Sequence, residues 1–156
     1  MKRLYALFAL GAAVALVLAL AAWGHGSHQG KGGKRIHVVE RATTDTVVDV
    51  GPAGDSLGDT LAFANELFDK TNTHTVGTDQ GSCIRTVAGE AWECTWTNFL
   101  SRGQITVQGP FYDDGSDSTL AITGGTGAYG NARGSMELRW RNPAGTEFDF
   151  VFHVIG

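Results

Sequence analysis

The sequence predicts an all-β fold, an antiparallel sheet closed into one barrel. Two observations carry that prediction. From Ile36 onward, short runs rich in Val, Ile, Thr and aromatic residues recur at regular spacing, separated by clusters of Gly, Asn and Asp. That is the pattern of strands joined by tight turns. Near the end, Phe148, Phe150, Phe152 and Val154 form an apolar stripe at period two, which must be buried against a second face. A sandwich or a barrel provides one, and closing the sheet on itself also removes its exposed edges.

Two segments of different character precede the strands. Met1-Lys2-Arg3 is basic, Leu4 to Ala22 is an unbroken apolar run, and Ala19-Leu20-Ala21 has the small-residue spacing of a signal-peptidase site. Residues 1–22 are therefore expected to be a signal peptide. A run of about 20 apolar residues can also span a bilayer, so an uncleaved membrane anchor is the alternative, and membrane contact is expected only in that form. No Cys lies near the cleavage point, which speaks against a lipid-anchored form. In either case the remainder is expected outside the cytosol, secreted or tethered to the outer face of a membrane. Residues 23–35 are rich in Gly, His and Lys and read as a flexible linker to a barrel domain at 36–156. His25 and His28 lie in that linker, where a mobile chain gives a metal no fixed geometry.

The whole chain carries a net charge of −4; without Lys2 and Arg3 it has 10 basic against 16 acidic side chains, or −6. A nucleic-acid partner wants a basic surface, and anionic lipid heads attract basic segments, so neither is expected.

The strands follow in order. Ile36 to Val50 is rich in Val and Thr, broken near Thr44-Asp45, and Gly51-Pro52-Ala53-Gly54 is a turn cluster. Asp59 to Asp69 is ambiguous: Leu61, Phe63 and Leu67 fit either period, with a slight tilt to helix. Gln80 to Val87 and Glu90 to Asn98 flank Ala88-Gly89, the loop of a tight hairpin. If Val87 faces Glu90, opposed positions sum to 177, and Cys83 then faces Cys94. Opposed Cα atoms about 4.5–5.5 Å apart are within disulfide reach, and an even number of cysteines in an exported chain reads first as a bridge. A metal site, which two thiols cannot complete, and a reactive thiol are the other readings. Arg102 to Tyr112 places Ile105, Val107 and Phe111 at alternate positions, and Leu120 to Thr123 is a short strand. Arg133 to Asn142 alternates Met136, Leu138 and Trp140 with Glu137, Arg139 and Arg141, and Asn142 to Gly145 turns the chain into the Phe stripe.

Motifs that would carry recognisable chemistry are weak. Gly125-Thr126-Gly127-Ala128-Tyr129-Gly130 has the spacing G-x-G-x-x-G, but a dinucleotide site needs a helix to begin there. Here the next residues alternate as a strand, so a tight turn is expected. Asp113 to Asp117 lacks the spaced carboxylates and distal Glu of a calcium loop. His37, His74 and His153 are scattered, and no Ser/His/Asp set or G-x-S-x-G elbow is present.

Three stretches together carry a family resemblance. Leu57-Gly58-Asp59 through Phe63, Asn65, Leu67 and Phe68 resembles the allene oxide cyclase segment LGD-x-x-x-F-x-N-x-L-Y. Gly103 to Phe111 (GQITVQGPF) is similar to the cyclase strand ending S-V-Q-G-P-Y, and Leu120 to Gly127 (LAITGGTG) to L-A-I-T-G-G-x-G. The continuation Ala128 to Gly134 is nearer the dirigent proteins, which write G-G-T-G-x-F-x-x-A-R-G. The likeness covers Ile36 to the C-terminus.

The resemblance implies an eight-stranded antiparallel barrel with an apolar cavity, assembled as a homotrimer, with strands near 36–50, 59–69, 74–87, 90–98, 102–112, 118–123, 133–142 and 146–155. It turns Asp59 to Asp69 from helix to strand. It implies that Asn65 orders a polar cavity site, that Glu40 is the carboxylate assisting charge movement, and that Cys83 lies in the cavity. Ala42 stands where the family has a second Asn, Phe111 where it has Tyr, and the Pro after the first strand has no counterpart, so a shared barrel with changed chemistry is expected.

The function expected is a stereochemical guide: an apolar small molecule is held in one conformer, and cyclisation or coupling follows with few catalytic groups, because proximity alone is worth several kcal/mol. Glu40 and Asn65 are the expected catalytic pair. Phe63, Trp92, Trp96, Phe111 and Phe150 are the expected ligand wall, and no cofactor or metal is called for. The alternative is a carrier with no chemistry, to which an apolar or filled cavity would point.

Overall fold

The computed structural model describes residues 33–156. The leader, most of the linker, His25 and His28 lie outside them. Among the described residues are ten strands: β1 Lys34–Arg41, β2 Thr46–Val48, β3 Thr60–Phe63, β4 Glu66–Asp69, β5 Thr75–Val87, β6 Ala91–Leu100, β7 Gly103–Tyr112, β8 Ser118–Gly125, β9 Arg133–Trp140 and β10 Glu147–Ile155. Every pairing is antiparallel. The order β5-β4-β1-β10-β9-β8-β7-β6 closes on itself through β5–β6, giving an eight-stranded barrel.

The two extra strands are continuations. β2 pairs only with β3, and β3 pairs on with β5, so β1/β2 and β3/β4 are two long strands broken midway. The first break falls at residues 42–45, where the Val/Thr run weakens. Asp59 to Asp69 is extended on both sides of its break, as the resemblance implied and against the slight helical tilt of its periodicity. Hydrogen bonding to neighbouring strands overrides a weak local period.

The period-two expectations hold at the core. Phe148, Phe150, Phe152 and Val154 are all buried, as are Met136 and Leu138 on β9 and Ile105 and Val107 on β7. Fully burying a side chain of this size is worth about 1.5–3 kcal/mol. Cys83 pairs with Cys94 in the register the hairpin predicted, and the two are joined by a disulfide with Cα atoms 3.9 Å apart. The tip differs from expectation: a bulge after Arg85 sets Val87 opposite Ala91 rather than Glu90. The bulge absorbs one residue in the turn without disturbing the cysteines further down the ladder. The G-x-G-x-x-G run is a turn, with a single 3₁₀ turn at Gly127–Tyr129 between β8 and β9 and Gly127 at φ +59°.

Candidate active site

The site begins with the two strand breaks, which face each other. Between the paired residues Arg41↔Glu66 and Thr46↔Ala62, residues 42–45 lie opposite 63–65, so the first strand carries one residue more. The surplus bulges, and Asn65 pins it. Its Oδ1 accepts from the backbone N–H groups of Thr43 and Thr44, both at 3.0 Å. Its Nδ2 donates to Glu40 Oε1 at 3.0 Å and to Asp45 Oδ1 at 2.8 Å. The Thr44 hydroxyl accepts from the Ala64 N–H at 2.8 Å. Both lone pairs and both amide hydrogens of Asn65 are thus committed to protein. Asn65 is 2% exposed and does not line the cavity; it holds the two carboxyls that do, Glu40 and Asp45.

Glu40 faces inward from β1, 6% exposed, and lines a small cavity of about 40 Å³ that opens to solvent. The remaining walls are Leu61, Phe63, Trp96, Phe111, Leu138, Phe148 and Phe150, with the Cys83–Cys94 bridge and, toward solvent, Asp45. Phe63 meets the Trp96 ring edge-on at 5.9 Å, and Trp96 tilts against Phe150 at 5.6 Å. Trp140 stacks behind Phe111, ring centres 6.0 Å apart, and closes that side. Gly81, inward on β5, makes room for Trp96: a Cβ there would lie 2.3 Å from the Trp96 Cβ.

Behind Glu40 stands Asp79 of β5, 1% exposed. Its backbone exchanges hydrogen bonds with Asn65, N–H to O at 3.1 and 2.9 Å. Burial, and then the neighbouring Asp79 charge, push the Glu40 carboxyl well above the usual carboxylate range, while the Asn65 amide pulls the other way. Burial likewise pushes Asp79 up to about 7, against hydrogen bonds from Glu40 and the Asn65 backbone that lower it. Asp79 Oδ2 and Asn98 Oδ1 are buried acceptors without donors, on directly opposed residues of β5 and β6. The Glu40 and Asp79 carboxyls bond each other and burial raises both, an arrangement that can give a proton to a ligand atom and take one back.

Of the residues expected from sequence, Glu40, Phe63, Trp96, Phe111 and Phe150 come together around the cavity, and Asn65 stands directly behind it. Trp92 does not join them. It is buried at the barrel's end, where its indole donates to Asp113 Oδ1 at 3.0 Å under the Arg85 guanidinium, 3.8 Å from the ring centre. Arg85 is in turn held by Asp55 at 2.6 Å and by Asp113. Trp92 and Trp96 point inward alike on one strand, but two pairs of residues set them about 13 Å apart along it. Asp79 was not anticipated. Its signal was present: if Cys83 faces inward, so do Gly81 and Asp79, two and four residues earlier. Among the described residues, no group of three or more His, Cys, Asp or Glu is placed to hold a metal ion.

Residues 38–152 match the model of the allene oxide cyclase barrel-like domain, and the chain belongs to that family. Among solved structures it is similar to a pyocyanin demethylase, at 23% identity and TM-score 0.65, over 76% of this chain and 100% of that one. It is similar to the pterocarpan synthase dirigent protein PsPTS1, at 21% identity and TM-score 0.64, over 82% of this chain and 99% of that one. The exo-specific intermolecular Diels-Alderase AbnU aligns at 17% identity and TM-score 0.63, over 80% of this chain and 98% of that one. At these identities the likeness is one of fold.

Proposed function

We propose that this barrel is an exported stereochemical guide: it binds an apolar, flat small molecule in the cavity, holds one conformer, and assists its cyclisation or coupling with a proton from Glu40. The observation that carries this is one buried carboxyl, raised above the ordinary carboxylate range by burial, in a cavity walled by five aromatic rings. The walls fix the conformer, and orientation alone supplies much of the barrier lowering. Glu40 delivers a proton to a carbonyl oxygen or an alkene carbon of the ligand, and the carboxylate so formed, bonded to Asp79, takes a proton back as the product is released. Asn65 holds Glu40 in place. The similar structures with ring-forming or coupling names, the dirigent protein and the Diels-Alderase, are consistent with this chemistry. The basic start, apolar run and Ala19-Leu20-Ala21 support export, with the membrane-anchored form as alternative. Exposed Val48 and Ile84, in register across β2, β3 and β5, support assembly with further copies, a homotrimer by family resemblance.

Native mass spectrometry of the protein purified from its producing culture, followed by chiral chromatography of whatever is released, tests the proposal. A single stereoisomer is expected from wild type, and a racemate or unreacted precursor from Glu40→Gln. The same compound in the same stereochemical purity from both proteins refutes a role for Glu40 and leaves a carrier.

A further inference from the structure

We propose that the cavity selects flat aromatic ligands by charge: it takes a cation, or a neutral molecule that offers a hydrogen-bond donor to Asp45 and an acceptor to Glu40, and it refuses carboxylates. This rests on the reading of the cavity as the ligand site and adds the charge class of the ligand.

The lining holds two carboxyls, Glu40 and Asp45, with Asp79 close behind, and no Lys, Arg or His. The nearest guanidinium groups are spoken for. Arg41 turns outward, stacked 3.7 Å over the Phe68 ring and bonded to Asn72. Arg85 is held at the barrel's end by Asp55 and Asp113. An anionic ligand would therefore enter an apolar slot with like charge at its mouth and no counter-ion at its end. Desolvation and repulsion act against it together. A cation meets the opposite: the aromatic walls Phe63, Trp96, Phe111, Phe148 and Phe150 attract positive charge, and Asp45 stands at the mouth with the opposite sign.

The ligand class that meets these groups is a flat aromatic that is positive, or bears a hydrogen-bond donor, toward Asp45 at the mouth.

The test uses three probes on one bicyclic frame: N-methylquinolinium, quinoline and quinoline-4-carboxylate, at pH 8 and 0.15 M salt, followed by quenching of tryptophan fluorescence. The cation should bind about tenfold more tightly than the neutral probe, and the carboxylate should not bind. Asp45→Asn should cut the cation's advantage several-fold, whereas Asp117→Asn, an exposed carboxylate outside the lining, should leave it intact. Equal binding of all three overturns charge selection and leaves the ligand site standing. A carboxylate that binds as well as the cation, or a preference indifferent to Asp45→Asn, overturns it too. If none of the three binds, the proposal falls together with the ligand-site reading.

Discussion

Raising the pH from about 4 to about 7 is expected to destabilise this barrel, and Asp79→Asn to remove part of that loss. Asp79 moves from 3.8 to about 7 on folding, burial being the main cause. The native state therefore binds the Asp79 proton more tightly than the unfolded chain does. Its stabilisation is complete below the unfolded value and is lost as pH rises through the folded one. A shift of about three units corresponds to roughly 4 kcal/mol, an upper figure because the proton is shared with Glu40. Glu40 is shifted the same way and carries the decline further. Asp69 and Asp149 act oppositely. Backbone and hydroxyl donors from Thr73 and Thr71 hold Asp69 low; partial burial pushes Asp149 up, but hydrogen bonds from His37 and Arg141 outweigh it. Their contribution is lost only on acidification below the ordinary carboxylate range, outside this window. Urea unfolding of wild type and Asp79→Asn at half-unit pH steps, read by tryptophan fluorescence, gives the slope of stability against pH. Wild-type stability that is flat or rising over the window, or an identical slope in the variant, would refute the shared-proton account.

Three further outcomes are expected. Phe150→Ala should cost about 3–5 kcal/mol by urea unfolding, as for a large ring removed from a packed site; a loss under about half a kcal/mol would place the stripe at the surface. Asn65→Ala should cost about 1–3 kcal/mol for each buried group left unpaired, and should raise the Glu40 pKa further, since the amide lowers it; an unmoved Glu40 in carboxyl NMR titration would break the link between the two. Thiol counting under denaturing, non-reducing conditions should find no free thiol, and reduction should lower stability by about 3 kcal/mol; two free thiols would remove the bridge.

Much of the barrel is legible in the chain because alternation is local. The Phe stripe of β10 and the Met136/Leu138 face of β9 follow from period two alone, and the cysteine pairing follows from the hairpin register. Glu40 and Asn65 each interrupt an apolar run, which is costly for a polar side chain without a partner. That cost, with the family resemblance, marked them as a pair. Trp92 went to the wrong place because alternation gives the face of a strand and not the height along the barrel at which a side chain meets its neighbours.

The sequence by itself therefore determined most of the strands, the apolar inward faces and the disulfide, all of which depend on neighbours in the chain or across one hairpin. The tertiary structure decided what the inward polar groups do. Glu40 and Asp79 lie 39 positions apart on strands separated by β4, and the register of β1 on β4 and of β4 on β5 brings them to one level. Their protonation depends on burial and mutual repulsion, and neither exists until the walls close around them.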